Sequence, residues 1–114
     1  MEYKNRIADQ LLRDKLEAMG AVLIEGPKAC GKTTTAEQQA KSIIYMSDPK
    51  RRDQYQLFVD TNPEMILNGD TPRLIDEWQE TPKLWDLIRF EVDHREGLGH
   101  FILTRSEEHT SELQ

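Results

Sequence analysis

Apolar positions along the chain follow two rhythms. Tyr3, Ile7, Leu11, Leu12, Leu16 and Met19 recur at helical spacing, which predicts an amphipathic helix stopped by Gly20. Ala21-Val22-Leu23-Ile24 is instead one continuous apolar run between Gly20 and Gly26-Pro27, the mark of a strand buried on both faces. Further on, residues 32–41 suit a helix, Ile43-Ile44-Tyr45-Met46 a strand, and residues 52–59 a short helix, with Pro63 opening another over 63–67. Ser47-Asp48-Pro49 and Asn68-Gly69-Asp70-Thr71-Pro72 interrupt the pattern as turns. Arg73-Leu74-Ile75-Asp76 reads as a strand ending in acid. Thr81-Pro82 opens a helix whose apolar face is Leu84, Trp85, Leu87, Ile88 and Val92, with Trp85 read as core. Gly97 and Gly99 stop that helix before a last strand, Phe101-Ile102-Leu103-Thr104. Strands alternating with helices in this way imply an α/β fold, a parallel sheet covered by helices on both faces.

One loop in that pattern carries chemistry. Gly26-Pro27-Lys28-Ala29-Cys30-Gly31-Lys32-Thr33 satisfies the phosphate-loop pattern G-x-x-x-x-G-K-[ST], set between a strand and a helix as the pattern requires. Gly26 and Gly31 let main-chain amides close on phosphate oxygens where a β-carbon would intrude. The helix that follows, with Thr33, Thr34 and Thr35 in its first turn, adds the partial positive charge of its N-terminus. Lys32 is expected to reach the β- and γ-phosphates, and Thr33 to offer a hydroxyl to Mg²⁺. Cys30 reads as a small side chain filling a tight turn, with a reactive thiol as the alternative. Lys28 reads as a solvated loop residue rather than a second phosphate ligand.

The second candidate is the acid at the end of the third strand. In a parallel sheet the C-terminal strand ends share one edge, so Asp76 is expected to emerge beside the phosphate loop and hold Mg²⁺. Glu77 then points toward the γ-phosphate and polarises a water. An acid can also simply end a strand, but here a phosphate loop precedes it by some 43 residues. Trp78 reads as packing. Lys50-Arg51-Arg52 reads as a solvated cluster rather than a nucleic-acid contact, and His94-Arg95 as cations complementing a helix C-terminus.

Composition narrows the classes. The chain has 114 residues, one cysteine and a net charge of −6, enough for one domain with a modest core. The lone Cys30 excludes an internal disulfide and, with three histidines, makes a structural zinc site a poor reading. No apolar run has the roughly 18 residues of a membrane span, and no signal-like stretch follows Met1, so a cytoplasmic location is expected. The acidic balance argues against a broad nucleic-acid surface.

The phosphate loop with its Glu25-Gly26-Pro27-Lys28 entry, Ser47-Asp48-Pro49, and Leu74-Ile75-Asp76-Glu77-Trp78-Gln79 together resemble a bacterial and archaeal AAA-type ATPase family. The resemblance covers residues 1–104. It implies a three-layer P-loop NTPase fold of the additional-strand class, incomplete at the C-terminus. It also implies ATP and Mg²⁺ as cofactors, and a C-terminal region, nuclease-like in fold, that receives the nucleotide signal. Members place a polar residue called sensor 1 at the end of the fourth strand, where it contacts the γ-phosphate or the attacking water. That role falls on Thr104, with a plain strand-end threonine as the alternative. The family continues with Gly-Ser, whereas this chain has Arg105-Ser106. Residues 105–114 match the translation of a common short-read sequencing adapter and are expected to be a non-native tail; without it the body carries a charge of −4. The leading expectation is Mg²⁺-dependent ATP hydrolysis, with phosphate contacts from residues 26–34, metal contacts from Thr33 and Asp76, and Glu77, Lys32 and Thr104 as catalytic residues. The alternatives are a non-hydrolysing nucleotide switch and a small-molecule kinase. A homo-oligomer or a C-terminal effector domain is the expected partner.

Overall fold

A computed structural model describes residues 6–26 and 32–106. Among these, the element order is α1 (Arg6–Leu16), β1 (Ala21–Gly26), α2 (Lys32–Gln39), β2 (Ser42–Tyr45), α3 (Arg52–Thr61), α4 (Glu64–Leu67), β3 (Arg73–Asp76), a 3₁₀ turn (Trp78–Glu80), α5 (Leu84–His94) and β4 (Phe101–Ser106). The strands form one parallel sheet in the order β1-β4-β3-β2. Three layers follow from the pleat, because successive side chains leave a strand on opposite faces. On β3, Leu74 packs with Leu12, Leu16, Val22, Ala36 and Ile102 under α1 and α2. Its neighbour Ile75 packs with Val59, Ile66, Leu84, Ile88, Phe101 and Leu103 under α3, α4 and α5. The α/β reading of the sequence is therefore correct.

Four local expectations need correction. The run Ala21 to Ile24 is a strand, but it is not buried on both faces: Leu23 is 37% exposed, because β1 has β4 on one side and, among the described residues, no strand on the other. Met19 lies beyond the end of α1 and is exposed. Trp85 is 38% exposed rather than core; α5 turns Leu84 and Ile88 inward, leaving Trp85 to pack against Trp78 with ring centroids 5.1 Å apart. Finally, β4 runs two residues past Thr104. Arg105 and Ser106 pair in register with Glu25 and Gly26 and alternate outward and inward, so strand periodicity extends to Ser106. Residues 107–114 lie outside the described residues.

Two glycines close the α1–β1 corner. Gly99 has φ +71°, and a β-carbon there would lie 3.1 Å from the Leu16 carbonyl oxygen. Its amide donates to Met19 O, while the His100 and Phe101 amides donate to Gly20 O. These bonds seat β4 against the start of β1 and thereby set the depth at which both strands end on the opposite edge.

Candidate functional site

The C-terminal ends of β1, β4 and β3 lie side by side, and α2 starts above them. This is where an open parallel sheet presents its binding crevice. Gly26 ends β1 and Lys32 begins α2. Pro27, Lys28, Ala29, Cys30 and Gly31, expected to wrap the phosphates, lie outside the described residues. Lys32 is buried and donates from Nζ to Ser106 Oγ at 2.9 Å, with Glu77 Oε2 at 4.0 Å. Thr33 donates its hydroxyl to Asp76 Oδ1 at 3.0 Å. Thr34 is exposed on α2.

Thr104 is fully buried and sits between the two acids. Its hydroxyl donates to Asp76 Oδ1 at 2.6 Å and accepts the Glu77 amide at 3.0 Å. A threonine hydroxyl has one proton to give. Here that proton goes to Asp76, so contact with a γ-phosphate through the same proton requires it to leave the carboxylate. The Thr104 hydroxyl thereby ties β4 to the end of β3.

Glu77 has φ 57° and ψ 53°, the left-handed region, and is the non-glycine residue with positive φ among the described residues. For a residue with a β-carbon this conformation costs free energy and is kept where surroundings fix it. The Thr104 hydroxyl and the following 3₁₀ turn supply that fixing, and the turn is itself held to α3 by Arg52–Glu80 at 3.0 Å. The reversal sends the Glu77 carboxylate back over the strand ends. There Oε1 accepts from Gln79 Nε2 at 2.7 Å and from the Ser106 amide at 3.0 Å, while Oε2 accepts from Ser106 Oγ at 2.5 Å. Burial by itself pushes the Glu77 carboxyl up, but the bonds from Ser106 and Gln79 and the charge of Lys32 outweigh it and hold the group below its ordinary value.

Asp76 and Thr33 present two oxygen donors to one spot at the N-terminus of α2. Mg²⁺ takes one or two protein oxygens of this kind and completes its octahedron with phosphate and water, so the residues present fit that ion. Among the described residues no group of three His, Cys, Asp or Glu is assembled for a metal held by protein alone. Beside Lys32, a groove of about 340 Å³ runs between α1, the open side of β1 and α2, lined by Leu11, Leu12, Val22, Ile24 and Thr35. The family model described as an AAA domain matches residues 19–113. The chain belongs to the AAA domain family. No curated protein and no solved structure matches it.

Within this AAA domain, the structure brings Lys32, Thr33, Asp76, Glu77 and Thr104 together from three elements. Sequence reasoning missed two residues of the same constellation. Ser106, which falls in the stretch expected to be a non-native tail, bonds both Lys32 and Glu77; the signal for it is the Gly-Ser with which the resembled family continues. Gln79 follows Glu77 by two residues, and no periodicity marks it. The basic run behaves as expected of a surface cluster, with Arg51 near Asp48 and Arg52 paired to Glu80. No helix among the described residues is long and apolar enough to cross a membrane.

Proposed function

We propose that this AAA domain binds ATP with Mg²⁺ and hydrolyses it. The observation that carries the reading is the Thr33 hydroxyl 3.0 Å from Asp76 Oδ1, with the adjacent residue in each segment, Lys32 and Glu77, facing each other at 4.0 Å. Lys32 and the loop amides take the phosphate charge. Thr33 and Asp76 hold the metal, which when bound neutralises charge on the phosphate oxygens. Glu77 orients the attacking water and accepts its proton. Because three donors and Lys32 already engage Glu77, it is a weak base in this arrangement; phosphate draws Lys32 away and frees the carboxylate to meet water. The apolar groove beside Lys32 suits the flat face of a nucleobase.

Calorimetry with Mg-ATP tests binding, and phosphate release tests turnover. Glu77→Gln is expected to retain binding and lose turnover. Binding without turnover in the unsubstituted chain would favour the second reading, a nucleotide-dependent switch, which the tightly held Glu77 also supports. Transfer of labelled γ-phosphate to an acceptor other than water would make the protein a kinase. Coupling of nucleotide state to a C-terminal effector region or to further copies of the chain belongs to the same proposal, as does a cytoplasmic location.

A further inference from the structure

The 3₁₀ turn after Glu77 contains polar atoms that its fold does not account for. Gln79 Oε1, Trp78 Nε1 and Thr81 Oγ1 are buried and have no hydrogen-bond partner among the described residues. Such atoms are uncommon in folded proteins, and each asks for a reason. For Gln79 the reason lies at the other end of its amide. Nε2 donates to Glu77 Oε1 at 2.7 Å, and turning the amide over to seek a partner for its oxygen would press that oxygen against a carboxylate. The side chain gives up one hydrogen bond in order to keep the other.

That trade-off falls at the acid on which turnover depends. Glu77 is restrained at two points by separate groups: its backbone amide by the Thr104 hydroxyl and its side chain by Gln79. Lys32 and Ser106 touch the carboxylate as well: Lys32 is the group that a phosphate recruits, and Ser106 donates its amide to Oε1 and its hydroxyl to Oε2 from β4. Gln79 donates from the same turn that carries Glu77, so its bond does not depend on where Lys32 goes. The left-handed backbone at Glu77 makes this two-residue contact possible by curling the chain back on itself.

We propose that Gln79 is a positioning residue for Glu77, fixing the direction in which the carboxylate presents its free lone pairs to water. This rests on the hydrolytic reading of the site. A base turned out of line loses rate without losing substrate, since misplacement by about 1 Å can cost about 100-fold. In the purified chain with Mg-ATP, Gln79→Leu, which removes the donor, is expected to lower kcat about tenfold. Gln79→Glu, which sets a like charge against Glu77, is expected to lower it about 100-fold. Both should leave KM and the ATP dissociation constant within about twofold, and Gln79→Asn should recover part of the rate. An unchanged kcat in Gln79→Leu, or a KM that rises as kcat falls, overturns the inference. A second measurement needs no turnover and no altered Gln79: the side-chain amide resonances of Gln79 should move on Glu77→Gln, and if they stay in place the contact is absent and the inference fails. If the unsubstituted chain turns over no ATP, the hydrolytic reading falls, and the amide resonances still decide whether Gln79 holds Glu77.

Discussion

Strand β3 is four residues long, buried throughout, and carries a charged residue at each end. The two ends use their charge differently. Arg73 donates from Nε to Ile66 O at 2.7 Å and from Nη1 to Ser42 Oγ at 3.1 Å. These partners are a main-chain carbonyl at the end of α4 and a hydroxyl on β2. Gly69 lies so close that a β-carbon there would meet Arg73 Nη1 at 2.5 Å. Burial pulls the Arg73 pKa down, and no carboxylate lies within ion-pair distance among the described residues. The cation ties α4 and β2 to the start of β3. Asp76, three residues on, is held by two hydroxyls, Thr33 and Thr104, both from elements that meet at the phosphate loop. Hydroxyl partners can release a carboxylate to a metal at small cost, whereas a buried carbonyl has nothing to exchange for. A buried charge held by the backbone is architecture; one held by exchangeable side chains is available for chemistry.

Substitutions can break that comparison. The largest effect is expected from Glu77→Gln, which should lower ATP turnover by about 100-fold or more at a small cost in the urea midpoint. Arg73→Ala should do the opposite, destabilising the domain by about 2–3 kcal/mol through an orphaned carbonyl and lost packing, with ATP affinity in calorimetry unaltered. Thr104→Val should fall between them. It deletes one bond to Asp76 and one to the Glu77 amide, costing about 1–2 kcal/mol of stability, and turnover should fall as well, because the left-handed turn loses its anchor. If Arg73→Ala disturbs nucleotide binding more than Thr104→Val does, the division of β3 into two ends is wrong.

The smallest effect concerns pH. Tyr45, in register with Asp76 on β2, donates to Glu37 on α2, and this bond, with burial and the charge of Glu37, pushes its phenol up to about 12. The unfolded phenol ionises near its ordinary value of about 10. Stability from this contact is therefore complete below that value and is lost as pH rises toward about 12. A tyrosinate absorbance titration should show one late-titrating phenol, and Glu37→Gln should bring it down.

The sequence made the core of this fold legible because the interior strands are short apolar runs, Leu74-Ile75 and Ile102-Leu103, that no helix period explains. It made the phosphate-loop pattern and the acids legible because the first is a fixed local motif and the second close a short apolar strand. What it could not convey was neighbourhood. The exposure of Leu23 depends on which strand lies beside β1, and Trp85 faces outward because α5 rotates to bury Leu84 and Ile88. The donors around Glu77 come from β4 and from a turn with no repeat, so periodicity marks neither Ser106 nor Gln79.

The open side of β1 has a consequence of its own. Among the described residues no strand pairs with its rim of amides and carbonyls, which invites another extended segment to zip onto it. Against such zipping β1 sets the exposed ion pair Glu25–Arg105, 3.1 Å apart, charges that would have to be stripped of water by any newcomer. Concentrated preparations should accordingly self-associate more readily in Glu25→Val than in the unsubstituted chain, and anything that does zip there would stiffen the strand that ends at Gly26.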